Sequence, residues 1–421
     1  MRPAFSSPGP FPPASLKTPA VHSDVYLEMI ILDIMIVAWM AAGCLYWLAV
    51  LYLTIRVIKS VPLLEMMPAP EREEWPQVSV IVPVRDELEN LGGPVASRLE
   101  DDYPGLELVL VDDRSSDGTS KRIDEMAASD TRVKAVHVSD LPGGWLGKVY
   151  AMQRGIEESG GEWMVFSDAD TYVKPGALAR AVSYCESRGL DHLAVIPELY
   201  RCKALQDSVS QVLLRIMLIT ERVWKAADER SSAAVGSPSF ALVRRAAIED
   251  AGGLAELRME PTEDIAIAQM LKTAGGRSGA VNGRGYVGAF FCRSLRETAV
   301  SLERGVYATL GGFSLARVFW FTLLFFALEF GPYLFFIPMG IPYNELIGTV
   351  AVSLGMIVSI LICRWLRMPL AAAFFFPIDL LIVVYMLLRA GIVCAAQGGI
   401  IWRDTFYPTE MLRMGRRFSY H

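Results

Sequence analysis

The sequence predicts one α/β domain with a mainly parallel sheet, set between one N-terminal and about three C-terminal transmembrane helices. Three observations predict it. Charge is divided: 67 of the 86 charged residues in the 421-residue chain lie within 58–316, which leaves the flanks lipid-like. Short β-branched runs alternate with helical patterns inside that charged stretch. Long apolar runs, uncharged or nearly so, lie on both sides of it.

This division excludes a wholly soluble enzyme, a disordered chain and a small disulfide scaffold. A net charge of -6 without any basic run excludes nucleic acid as a partner. Cys44, Cys185, Cys202, Cys292, Cys363 and Cys394 are scattered without a CxxC pair, in keeping with an intracellular setting. His22, His137, His192 and His421 are equally dispersed, so zinc is excluded and any metal is a hard cation on carboxylates.

The first span is MIVAWMAAGCLYWLAVLYLTI, Met35 to Ile55, long enough at 1.5 Å per residue to cross the roughly 30 Å hydrocarbon core. It is too long for a signal peptide and has no cleavage site at its end. Three more candidates are Val318–Ile341, Leu346–Cys363 and Met368–Leu388. Glu329 and Asp379 fall inside them, as functional carboxylates or as groups satisfied within the bundle. Arg56, Lys59, Arg364 and Arg367 beside span ends, against none in the loop PYNE, put the N-terminus outside and the domain in the cytoplasm. The chain is thus an integral, multi-pass protein of the inner membrane. Four crossings would leave the tail outside, yet it carries Arg403, Arg413, Arg416 and Arg417; a re-entrant or interfacial segment within 389–402 would restore the parity. The expected divisions are a tail over 1–24, a span over 25–57, the α/β domain over 76–292, an amphipathic interfacial segment over 293–316, spans over 317–402 and a basic tail over 403–421.

Within the domain, strands are expected at 78–84, 106–113, 133–138, 163–170 and 193–199, with helices near 90–99, 119–128, 148–159 and 175–188. In such sheets ligands bind beyond the carboxyl ends of the strands. Acidic clusters stand there: Arg85-Asp86-Glu87, then Asp112-Asp113 with Ser115, Ser116 and Asp117, then Asp168-Ala169-Asp170. Converging like charges repel unless a cation or hydrogen-bonding ligand occupies the site. Each cluster alone fits a cap or turn; Asp117-Gly118 before Thr119 can simply start a helix.

Rival nucleotide folds fail at these positions. PVRDE replaces the glycine-rich loop of a dinucleotide fold. GGWLGKV at 143–149 imitates a Walker loop, but its spacing is short and Val149 stands where Ser or Thr is required. Lys148, at a helix start, is either a phosphate contact or an exposed surface lysine.

Alternation would point Asp168 and Asp170 the same way if the strand continues through them. A hard cation there, bridging a diphosphate, would stabilise a departing nucleoside diphosphate, which suits group transfer from an activated donor. The acceptor hydroxyl then needs a base, and Thr262-Glu263-Asp264 at a helix start is the candidate; acidic residues there also simply suit the helix dipole.

VSVIVPVRDELENL, VDDRSSDGT, GWLGKVYAMQRG, SDADTYVKPGAL and PTEDIAIAQMLK stand in an order that resembles the family 2 glycosyltransferases of the GT-A fold. GWLGK and the flanking spans look most like the membrane-bound branch containing hopene-associated and ceramide-type glycosyltransferases. The motifs cover about residues 76–275. The resemblance implies donor contacts from Pro83, Arg85, Glu87, Asp113, Lys148 and Asp168, with Glu87 and Asp113 on the uracil or ribose. It implies a divalent metal, Mg²⁺ or Mn²⁺, on Asp170, and catalytic roles for Asp264, as base, and Glu263. Single displacement would invert the anomeric carbon. The family's QxxRW motif is reduced to Ser301-Leu302-Glu303-Arg304-Gly305. Arg304 is therefore either a diphosphate contact or an interfacial arginine, and the missing Trp weakens a polysaccharide synthase.

Two amphipathic stretches complete the picture. Val209, Val212, Leu213, Ile216, Ile219 and Val223 mark an apolar face expected to be core-facing; Leu295, Ala299, Leu302, Val306 and Leu310 mark one expected at the membrane surface. Together they would frame a cleft leading a lipid hydroxyl to Asp264. The expected function is metal-assisted transfer of a sugar from a UDP-linked nucleotide-sugar to a membrane lipid. The alternatives are a processive polysaccharide synthase, a nucleotidyltransferase, which the absent glycine-rich basic loop disfavours, and a non-catalytic membrane scaffold.

Overall fold

The computed structural model describes residue 9 and residues 21–68, 72–338 and 341–418; most of the 1–24 tail, residues 339–340 of the second span and the last three residues lie outside them. Helix α1 (Val21–Ser60) leads into strand β1 (Val78–Val84). There follow α2 (Gly92–Leu99), β2 (Leu106–Asp113), α3 (Thr119–Ser129), β3 (Val133–Val138), α4 (Gly147–Glu157), β4 (Trp163–Phe166), β5 (Tyr172–Val173), α5 (Ala177–Arg188), β6 (His192–Ile196) and β7 (Glu198–Leu199). The domain continues with α6 (Ala204–Thr220), β8 (Ala241–Arg244), α7 (Arg245–Asp250), α8 (Glu263–Thr273), β9 (Ser278–Asn282), β10 (Val287–Ala289) and α9 (Leu295–Ala308). Then come α10 (Leu315–Phe325), joined by a π-turn to α11 (Gly331–Leu334), α12 (Asn344–Trp365), α13 (Ile378–Gln397), β11 (Gly399–Trp402), β12 (Thr405–Pro408) and α14 (Thr409–Gly415).

The main sheet runs β3-β2-β1-β4-β8-β6-β9, and β8 alone is antiparallel to its neighbours. β1 is β-branched and buried on both faces, as a strand covered by helices on each side requires. Its register sets the site: Val84 lies level with Asp112, and Phe166 with Ile81, so the segments after β1, β2 and β4 leave the sheet at one edge. This is the predicted α/β domain with a mainly parallel sheet.

Two strands are shorter than expected. The run 163–170 stops at Phe166, because Ser167 onward turns out of the sheet, so strand alternation does not orient Asp168 and Asp170. The run 193–199 breaks at Pro197, which has no N–H for a ladder, and β7 joins β10 in a small second sheet.

Among the described residues four helical stretches are long and apolar enough to cross a membrane: Tyr26–Ser60, Leu315–Leu334, Asn344–Trp365 and Ile378–Gln397. α1 and α12 both end on Asn282 of β9: its backbone N–H donates to Pro62 O (2.9 Å), and its side chain to Trp365 O (2.9 Å). α12 therefore returns to the domain. The last apolar helix, Ile378–Gln397, begins ten residues later than the expected Met368–Leu388 span. Phe376 packs on Trp47 (5.7 Å) and beside Gly355, positions about 15–20 Å below the domain ends of α1 and α12. From that depth α13 climbs back to the domain, with Gly391 against Val318 near the start of α10. The chain thus reverses direction within 366–377.

The 403–421 segment is not a free tail where it is described. Arg403 pairs with Glu87, Arg413 donates to the Phe313 carbonyl and Arg417 meets Glu256.

The apolar face expected on 206–227 is core-facing, as predicted, but α6 buries polar residues too. It lies among the apolar helices and satisfies their carboxylates. Arg215 donates to Glu329 through both terminal nitrogens (2.7 and 2.5 Å), Tyr46 donates to the same carboxylate, and Ser208 donates to Asp379. Glu329 and Asp379 are groups satisfied within the bundle.

Candidate active site

The carboxyl edge of the sheet opens into a cavity of about 270 Å³. Pro83, Arg85, Glu87, Asp113, Lys148, Asp168, Asp170 and Arg304 all line it. The acidic residues divide into two kinds. Asp86 accepts from Ser116 N (2.7 Å), Asp112 from Ser115 N (3.1 Å) and Ser120, and Asp117 from Thr119 N (3.0 Å). These three hold turns and the start of α3. Glu87, Asp113, Asp168 and Asp170 face the cavity.

Asp113 is fixed by Arg114 (Nε to Oδ1, 2.7 Å), with Arg85 3.8 Å away. Gly147 begins α4 directly over it: a Cβ there would meet Asp113 Oδ2 at 2.5 Å, so no larger residue fits. The next residue, Lys148, reaches both acidic motifs, Asp168 at 2.7 Å and Glu263 at 2.6 Å. Burial opposes its charge, but the two carboxylates outweigh it and raise its pKa. Lys148 is therefore a largely buried bridge that ties the end of β4 to the start of α8. Arg98, wholly buried, donates to Ser167 Oγ (2.8 Å) and the Asp168 carbonyl (2.6 Å), holding the turn that carries Asp168 and Asp170.

Asp170 differs from its neighbours. Burial, then the charges of Asp168 and Glu87, push it up to about 6, and among the described residues it has no ion pair. Asp264 is also pushed up to about 6, by burial first and Glu263 second, against the opposing pull of Lys148 and Arg304. Gly236 closes over it: a Cβ would lie 2.5 Å from Asp264 Oδ2 and would strike the backbone of Ile265.

A second cavity, about 570 Å³ and mostly apolar, lies on the other side of α9. Leu213, Ile216 and Met217 of α6, Ile265 of α8, Leu302, Gly305 and Val306 of α9, Phe321 of α10 and Leu387 of α13 line it. Ser301 and Arg304 face the first cavity while Leu302 and Gly305 face this one, so α9 is the wall between them. Glu221 lies in the second cavity, held well above the ordinary carboxylate range by burial and by Asp264.

Gly147, Gly236, Arg98 and Arg114 escape sequence reading. The last was legible as a charge beside Asp113, but a glycine's tight approach shows only in three dimensions.

Acidic side chains thus converge at the carboxyl edge of a parallel sheet, beside a helix start bridged by Lys148. The family described as Glycosyl transferase family 2 matches residues 79–252 of this chain. An uncharacterized glycosyltransferase of Haemophilus influenzae is 27% identical over 124 residues, 30% of this chain and 36% of its own length. A GalNAc(5)-diNAcBac-PP-undecaprenol beta-1,3-glucosyltransferase of Campylobacter jejuni is 30% identical over 104 residues, 25% of this chain and 33% of its own. The chain thus spans about a third of the length of these relatives. A mannosyltransferase from Pyrobaculum calidifontis, solved with GDP-Man and Mn²⁺, aligns over 87% of this chain and 96% of its own, at 18% identity and a TM-score of 0.49.

Proposed function

We propose that the protein transfers a sugar from a nucleotide-sugar to the hydroxyl of a membrane lipid, with inversion, at the cytoplasmic face of the inner membrane. The observation that carries this reading is the pair of cavities. A polar one holds Asp113, Asp168 and Asp170, an apolar one opens among helices of the membrane flank, and α9 runs between them while α8 lines the apolar one.

The donor's base and ribose suit Glu87 and Asp113, which accept hydrogen bonds from its N–H and O–H groups. A divalent cation fits Asp170, a desolvated carboxylate lacking an ion pair, with Asp168 and Glu87 near enough to raise its pKa. No group of three or more His, Cys, Asp or Glu side chains suited to a metal occurs among the described residues. Its other ligands would therefore be diphosphate oxygens, as Mg²⁺ and Mn²⁺ favour. When bound, such a cation offsets the charge that builds on the departing nucleoside diphosphate. Lys148 and Glu263 keep Asp264 at a fixed place by tying α8 to the sheet edge. Asp264 takes the acceptor's proton as its oxygen attacks the anomeric carbon, and a pKa near 6 leaves it ionised and basic at neutral pH.

The reversal at 366–377 supports a re-entrant segment. With α1, α10–α11 and α12 crossing fully, domain and C-terminal segment share one side, and the arginines after α13 lie with the domain. Membranes containing the protein, given radiolabelled nucleotide-sugars, should pass label into the lipid extract. Label appearing only in a water-soluble polymer would sink the lipid assignment.

A further inference from the structure

The donor cavity has a wall from the far end of the chain. Trp402, Arg403 and Tyr407, on the β11–β12 hairpin, line it beside Arg85, Glu87 and Gly147. The turn is two residues long, with Arg403 at φ 46° and Asp404 at φ 64°. Positive φ at both central positions matches the twist of a hairpin, but Asn and Gly usually fill them. Here an arginine and an aspartate do, and such backbone outliers gather at functional sites.

The turn directs its side chains at the cavity. Arg403 donates to the Arg85 carbonyl (2.8 Å) and to Glu87 Oε1 (2.8 Å). The Trp402 ring lies 4.3 Å from the guanidinium carbon of Arg304, across from α9. The Gly147 N–H donates to the Tyr407 hydroxyl (3.3 Å), which places that ring beside Asp113 and Arg114. Among the described residues Arg304 has no ion pair, whereas Arg114 and Lys148 are each committed to carboxylates. A guanidinium held flat by an indole, facing a cavity and lacking an anion, is built to receive one.

We propose that the β11–β12 hairpin is part of the donor site, with Trp402 positioning Arg304, and Arg403 beside it, to bind the diphosphate of the nucleotide-sugar. This rests on reading the cavity as a nucleotide-sugar site. Glu87 has acceptor capacity beyond its bond to Arg403, so donor hydroxyls and the hairpin would share this one carboxylate beside the Arg304 guanidinium. The same element reaches the acceptor side. α13 runs directly into the hairpin, lines the apolar cavity through Leu387 and is pinned to α9 by Arg389 on Glu303 (2.5 Å). Donor binding and the wall of the acceptor cavity thus share one piece of chain.

The test uses the full chain in lipid nanodiscs, titrated with UDP and with GDP in the presence of MnCl₂. Trp402→Ala and Arg403→Ala should each weaken nucleoside diphosphate binding by about tenfold, as loss of one charge-assisted contact predicts. Arg403→Lys should recover part of the loss. Donor KM should rise while acceptor KM stays within twofold, a split that general loosening of the fold would not give. On the unaltered protein, added UDP should slow amide exchange across 399–408, a measurement independent of whether the variants fold. Wild-type affinity in both alanine variants, or no change in exchange when UDP binds, overturns the proposal. If the unaltered protein binds neither nucleotide, the donor-site reading itself falls, and this proposal with it.

Discussion

Arg215 and Glu329 offer the sharpest test of how the domain is joined to its apolar helices. Arg215 comes from α6 of the domain and Glu329 from the π-turn between α10 and α11. Both are buried, at 2% and 0% exposure, and meet through two parallel hydrogen bonds of 2.7 and 2.5 Å. Trp47 lies against the same guanidinium (5.3 Å), and Tyr46 donates to the same carboxylate. Glu329→Ala would leave a cation buried without a partner, which costs about 3–5 kcal/mol. Truncation also removes the acceptor for Tyr46, adding about 1–3 kcal/mol for an orphaned hydroxyl. For a protein of this size such a loss lowers the melting temperature by about 5–9 °C. The assay is thermal unfolding in detergent, followed by near-ultraviolet circular dichroism or by a thiol-reactive dye at the buried cysteines. Replacing both partners, Arg215→Met with Glu329→Leu, should recover much of the loss, since an apolar pair of similar volume carries no desolvation cost. A Glu329→Ala protein that melts within 2 °C of the parent, or a double variant worse than the single, would refute the pair as the joint.

Other consequences follow from the two cavities. Because Asp264 acts as base only when ionised and its pKa is raised to about 6, kcat/KM should hold at neutral pH and fall about tenfold per unit below 6; a flat profile to pH 5 would remove Asp264 from that role. Gly236→Ala pushes a methyl into Asp264 Oδ2 and should lower transfer at least tenfold, while UDP binding stays near normal in titrations. Leu302→Trp puts bulk into the apolar cavity, so acceptor KM should rise and slow donor hydrolysis should persist; a changed donor KM with unchanged acceptor KM would contradict that placement.

The sheet edge was legible because its signals are local. β-branched runs end in acidic clusters, and in a parallel sheet the strand ends converge. The sequence could not say which carboxylates turn inward. Asp112 and Asp113 are adjacent, yet one caps the turn toward Ser115 and Ser120 and the other faces the cavity. That choice is made by strand alternation and by Gly147 lying over Asp113. The segment after Phe166 was expected to stay extended, but Arg98, some 70 residues away, fixes it as a turn. The C-terminal third was hardest to read. Hydropathy measures how apolar a helix is, not where it sits, so the sequence did not show that the segment before α13 turns back beside Trp47 and Gly355. Arg215 and Ser208, which partner Glu329 and Asp379, lie on α6, whose polar residues look solvent-facing until the apolar helices surround them. The hairpin at 399–408 has no Asn-Gly turn to announce it, only Arg403 and Asp404 at positive φ, with Arg403 tied to Arg85 and Glu87.

The account turns on Asp170 and Asp264 serving different steps of one transfer. The direct measurement is a single experiment on membranes bearing the parent, Asp170→Ala or Asp264→Asn protein, supplied with a radiolabelled nucleotide-sugar that the parent uses. The parent should move label into the lipid extract. Asp170→Ala should lose both transfer and donor hydrolysis. Asp264→Asn should lose transfer by a factor on the order of 10² or more while still binding UDP in a Mn²⁺-dependent manner. Near-normal lipid labelling by Asp264→Asn, or by Asp170→Ala, would contradict the account.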